Sequence, residues 1–88
     1  MMLKIDKNVT IVDVRSPDEY SIEHVPGAIN IPLDRLESNI AEFKKMPKPV
    51  IIYCRSGFRS ETAVSILKQN GITEVIDGGG ILDMLNRY

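Results

Sequence analysis

A single thiol, two guanidinium groups and a glycine lie together in "CRSGFRS", residues 54–60 of this 88-residue chain. Cys54 is its only cysteine, and the apolar run "VIIY" leads into it. A lone cysteine behind such a run ordinarily packs as a small hydrophobe. The residues that follow argue for chemistry instead. If "VIIY" is a buried strand, Cys54 lies at its carboxyl end, where open parallel sheets bind ligands. A helix beginning about five residues later adds a field of roughly half a positive charge, and the amides of residues 55–60 can converge on one point. Gly57 permits a positive φ and close approach of the backbone. Arg55 and Arg59 add positive charge, and Arg59 at a helix start is out of place unless an anion sits there. Each feature favours thiolate over thiol, and the thiolate is the nucleophile.

The elements that hold these residues alternate along the chain. "VTIVDV" (9–14) is β-branched and nearly continuous in apolar character, as a strand buried on both faces would be. In "SPDEYSIEH" (16–24), Ser16 caps, Pro17 suits the first helical position, and Asp18 and Glu19 favour the amino end. Arg15 and Glu19 flank that start and are expected to pair across it. "VPGAINIP" (25–32) reads as a turn into a short extended piece. Leu33, Leu36, Ile40 and Phe43 recur at helical spacing, which predicts an amphipathic helix over 33–45, ended by "KKMPKP". After the strand at 50–53, a helix over 59–70 turns Ala63, Val64, Ile66 and Leu67 inward, with Gly71 at C′. "EVI" (74–76) is a short strand, and "GGGILDMLNRY" a glycine turn followed by a last helix. Such alternation predicts one small α/β domain over 1–88, with a mainly parallel central sheet and helices on both faces.

Composition narrows the function classes. Eleven basic and twelve acidic side chains leave a net charge of −1, so bulk charge points to no nucleic-acid or membrane partner. One cysteine and one histidine exclude an internal disulfide and a cysteine-rich zinc site. No metal and no cofactor is expected. No apolar run approaches the ~18 residues of a membrane span, and the start carries no signal pattern. A cytoplasmic location, where a free thiol survives, is the expectation.

Taken together, "CRSGFRS" (54–60) and "DVRSPDEYSIEHVPGAINIP" (13–32) resemble the active-site loop and the amino-terminal signature of the rhodanese sulfurtransferases. Two motifs in the right order and spacing carry the resemblance across nearly the whole chain from Val9. It implies a rhodanese-like fold and a sulfurtransferase without cofactor. Cys54 would take a sulfane sulfur from thiosulfate or a protein persulfide, hold it as a persulfide, and pass it to cyanide or a thiol. Residues Arg55, Ser56, Gly57, Phe58 and Arg59 would bind the persulfide sulfur, with Arg59 closing the loop. Asp13 and Arg15 match the family's strand-end pair in a supporting role, and His24 matches a structural histidine. The implied partners are small donors and acceptors, or a protein of a sulfur relay.

Three departures stand out. The family's leading helix is expected to be reduced to the strand-like "MLKI", with self-association as compensation. Glu23 replaces a glycine before the histidine. Gly80 replaces an aromatic and is expected to open a wall of the core or of the active-site mouth. Two rival readings share the cradle: a non-catalytic sulfur carrier, and a cysteine-based phosphatase. Phosphatase loops place five residues between cysteine and arginine, whereas four stand between Cys54 and Arg59, which suits one sulfur rather than a phosphoryl group.

Overall fold

Four runs of extended backbone lie side by side in the computed structural model, which describes residues 9–87. They are β1 (Thr10–Asp13), β2 (Ile29–Asn30), β3 (Val50–Cys54) and β4 (Val75–Gly80), in the spatial order β2-β1-β3-β4. All three pairings are parallel. The helices α1 (Pro17–Ile22), α2 (Ile40–Lys45), α3 (Phe58–Gln69) and α4 (Ile81–Arg87) connect or follow them. The strand-like "MLKI" lies outside the described residues.

Strand side chains alternate between faces, so each central strand feeds two cores. Val12, Val14, Val50, Ile52 and Cys54 pack with Leu36, Phe43, Ala63 and Leu67. Ile11, Ile51 and Tyr53 pack on the other side with Val25, Ala28, Ile81 and Met84. Helices therefore cover both faces. All five residues of β3 are buried, which is why its sequence shows a run rather than alternation.

Two segments differ from their sequence patterns. Residues 33–39 do not join one helix with α2; they form two 3₁₀ turns, Leu33–Arg35 and Glu37–Asn39. The Arg35 carbonyl receives the Ser38 hydroxyl at 2.9 Å and the Asn39 side-chain amide at 2.8 Å. Those bonds occupy an acceptor that α-helical pairing would use, while the Asn39 backbone amide bonds Leu36. Apolar spacing survives, so Leu36 and Phe43 are still buried.

The glycines of "DGGG" belong to β4 rather than to a turn. Ile52 pairs with Asp77 but Tyr53 pairs with Gly79, leaving Gly78 as the extra residue of a bulge. A Cβ on Gly80 would lie 2.6 Å from the Arg55 carbonyl oxygen. Gly80 therefore opens no wall. It is where β4 comes close against the loop that follows β3, and a side chain there has no room.

Candidate active site

The sulfur of Cys54 sits where β3 ends and α3 begins. The chain turns at Gly57, whose φ of +106° is left-handed backbone that glycine adopts without a Cβ penalty. That turn aims two amides at the thiol: Gly57 N–H donates to Sγ at 3.0 Å and Ser60 N–H at 3.3 Å. A helix ordinarily has such amides satisfied by a capping side chain. The N-cap of α3 is Gly57 and supplies none. Cys54 Sγ takes that place, so an acceptor from the preceding strand caps the twelve-residue helix.

Burial, which is nearly complete for Cys54, pushes the thiol up. The Ser60 amide and hydroxyl, then the Gly57 and Ser56 amides, outweigh that, and the net shift is downward. The apolar run thus buries the side chain without a net upward shift of the thiol.

Arg59 is not aimed into this cradle. Its Nη1 and Nη2 donate to Glu19 Oε1 and Oε2 at 2.9 and 3.1 Å. Glu19 is itself fixed by a capping box: it accepts from the Ser16 amide at 3.0 Å while Ser16 Oγ accepts from the Glu19 amide. The Arg59 guanidinium holds the Glu19 carboxyl down at about 2, with help from Ser16. Arg59 thus meets a carboxylate of the protein itself, which answers the question of a cation at a helix start.

The expected Arg15–Glu19 pair is replaced by another. Arg15 Nε and Nη2 grip both oxygens of Asp13 at 2.7–3.0 Å, and Nη2 also donates to the Glu23 carbonyl at 2.6 Å. Asp13 is fully buried and Arg15 nearly so. A carboxylate two residues before Arg15 at the same strand end offers bidentate geometry that Glu19, one turn into α1, cannot match. The pair ties the end of β1 to the end of α1, the helix that carries Glu19. His24 stacks on Tyr20 with ring centroids 3.8 Å apart, and its Nδ1 lies 2.8 Å from the Tyr20 carbonyl, a structural position.

Arg55, Ser56 and Phe58 are exposed on the loop, Phe58 at 78%. Beside it lies an open pocket of about 390 Å³ walled by Arg55, Ser56, Glu19, Ile22 and Leu82 among others. Cys54 is not in its wall, so the pocket adjoins the loop rather than the sulfur. The structure thus gathers Cys54 and the backbone of residues 56–60, with Arg55, Phe58 and Arg59 around them, while Asp13 and Arg15 stand behind as support. Two residues went unnoticed in the sequence: the side chain of Ser60, which the helical pattern makes look like any buried first-turn serine, and Asp77, hidden in what reads as a turn.

Among the described residues no group of three or more histidine, cysteine or carboxylate side chains could hold a metal ion, and no helix is long and apolar enough to cross a membrane.

Comparison with known proteins bears on the same residues. The rhodanese-like domain family matches residues 2–80. Thiosulfate sulfurtransferase PspE of Escherichia coli is 40% identical over 74 residues, which cover 83% of this chain and 71% of that protein. The thiosulfate:glutathione sulfurtransferase of Saccharomyces cerevisiae is 41% identical over 80 residues, covering 77% of this chain but 58% of its own length. A solved structure described as a rhodanese with anions from E. coli superposes with a TM-score of 0.76 at 41% identity, over 85% of this chain and 89% of that one.

Proposed function

This chain belongs to the rhodanese-like domain family, and from that premise we propose that it is a sulfurtransferase working through a persulfide on Cys54. The observation that carries the proposal is the pair of amides, Gly57 and Ser60, donating to a sulfur at the amino end of α3.

The chemistry asks for little else. The Cys54 thiolate attacks the outer sulfur of thiosulfate, a sulfur–sulfur bond forms, and sulfite leaves with the electron pair of the broken bond. A nucleophilic acceptor, cyanide or a thiolate, then attacks the outer sulfur of the persulfide. Cys54 leaves as the thiolate it was at the start. In both half-steps negative charge remains on sulfur within the loop, where preorganised backbone donors stabilise it without reorganisation. No general base is required, because thiolate and persulfide are already anions and the acceptors are strong nucleophiles. That accounts for a site in which the only histidine packs against a tyrosine.

The sulfurtransferase relatives support sulfur transfer as the reaction class, and their names support thiosulfate as donor and a thiol as acceptor. The four-residue spacing between Cys54 and Arg59 supports sulfur over a phosphoryl group, and so does the engagement of the Arg59 guanidinium with Glu19 rather than with the cradle. The exposure of Phe58 beside the loop supports a second reading, in which a protein persulfide is the donor and this chain passes sulfur along a relay. Loading by thiosulfate, measured as mass gain on Cys54 and discharge by cyanide, tests the first reading. Faster loading from a protein persulfide than from thiosulfate would favour the second.

A further inference from the structure

The open pocket of about 390 Å³ is lined from three elements: α1 and its end, the loop after β3, and the start of α4. That is the size of an organic-ligand site, far more room than the few atoms of thiosulfate or cyanide fill. Four charged residues line it. Two are already paired, Arg15 with Asp13 and Glu19 with Arg59. The other two, Glu23 and Arg55, are exposed and have no ion-pair partner among the described residues. Glu23 closes α1, a helix with no basic residue in its last turn, so its carboxylate and the helix end both favour a cation on that side. Arg55 offers an anion a partner on the loop side. At the mouth, Ile22 and Leu82 are 85% and 71% exposed, large apolar side chains that a ligand would cover.

We infer that this pocket is the subsite for the sulfur acceptor and takes a short-peptide thiol with free ends, Glu23 meeting its ammonium group and Arg55 a carboxylate. The inference rests on the sulfurtransferase reading and adds where the acceptor binds and which residue selects it. Glu23 stands where the rhodanese signature has glycine, so the partner for an ammonium group belongs to this chain rather than to the shared motif. The pocket begins at Arg55, one residue from the thiol, and Cys54 is not in its wall. An acceptor held there must carry its thiol several bonds away from its charged ends, as a peptide does and free cysteine does not. With its proton lost to solvent, the acceptor thiolate attacks the outer sulfur of the Cys54 persulfide. One sulfur–sulfur bond forms, the bond to Cys54 breaks, and Cys54 leaves as the thiolate while the acceptor departs as a persulfide.

The test discharges sulfur-loaded protein with glutathione, with N-acetylglutathione, whose ammonium group is blocked, and with 2-mercaptoethanol, at equal thiolate concentrations. Glutathione is expected to have the lowest KM on the wild type. Glu23→Gln raises that KM about fivefold, the scale of one exposed ion pair, and leaves 2-mercaptoethanol unchanged. Acetylation raises KM on the wild type by the same factor and has no effect on the variant. A glutathione KM no lower than that of 2-mercaptoethanol, or an equal loss for all three thiols in Glu23→Gln, overturns the inference. Binding is read separately with S-methylglutathione, which has no thiol to accept sulfur. Its titration shifts the NMR methyl signals of Ile22 and Leu82, and Glu23→Gln weakens it by a similar factor. If it binds in this way while neither thiosulfate nor a protein persulfide loads Cys54, the subsite stands as a peptide site and the sulfurtransferase proposal falls. If Cys54 loads but those methyl signals do not respond, the subsite alone is overturned.

Discussion

The guanidinium of Arg59 faces Glu19, with two bonds at 2.9 and 3.1 Å, while the sulfur of Cys54 is held by amides. The charge at the start of α3 thus fastens the loop to α1. Anion stabilisation falls to the backbone, which cannot swing away.

Replacing Glu19 with glutamine separates these tasks. The half-exposed ion pair contributes only a few tenths to about 1 kcal/mol, so the variant folds with a slightly lower midpoint in urea. Arg59, released from its carboxylate, becomes available to an anionic donor, and KM for thiosulfate falls while kcat changes little. An unchanged KM would show that Arg59 stays out of the cradle even when freed.

The same pair sets an acid limit. Glu19 has a folded-state pKa of about 2 against an ordinary 4.5, so the native state holds its charged form and gains stability above the ordinary value. That gain is lost as pH falls from about 4.5 toward 2. Thermal melts across this window are expected to show a smaller drop for Glu19→Gln than for the wild type, because the uncharged side chain has no proton to take up.

Asp13 and Arg15 make a different prediction because they are buried. Asp13→Ala leaves the Arg15 cation without its carboxylate, and breaking a buried pair from one side costs ~3–5 kcal/mol. For a small domain that is a large share of a total of ~5–15 kcal/mol. Urea denaturation should find the variant largely unfolded or near it. A loss under 1 kcal/mol would mean that the Glu23 carbonyl suffices to hold Arg15.

Gly80→Ala tests the closeness of β4 to the loop. The added Cβ meets the Arg55 carbonyl at 2.6 Å, so the loop must shift. The expected cost is ~1–3 kcal/mol, as for overpacking elsewhere, with an upward move of the Cys54 alkylation midpoint as its amides are displaced. A neutral or stabilising effect would restore the expectation of an open wall at this position.

How far these features could be read from sequence depends on what each one rests on. Cys54, Gly57 and the strand-to-helix junction were legible because local pattern fixes them: an apolar run ends, a glycine follows, a helical period begins. The partners of Arg59 and Arg15 were not. Glu19 is forty residues from Arg59, and only the parallel pairing of the sheet brings α1 to the start of α3. Arg15 had two carboxylates within reach in sequence, and strand geometry chose Asp13. "DGGG" misled for a related reason. Three glycines mark a turn by composition, but here they answer a close approach of backbone and side chain from β3, the following loop and α4, which no local pattern records.

The central claim is that the amides at the head of α3 hold Cys54 as a thiolate able to carry one sulfur. Its most direct test is the intact mass of the protein after incubation with thiosulfate and removal of excess donor. The account predicts a gain of one sulfur atom, absent in Cys54→Ser and discharged by cyanide as thiocyanate. A protein that reacts with iodoacetamide at Cys54 yet gains no sulfur from thiosulfate or from a protein persulfide would contradict it.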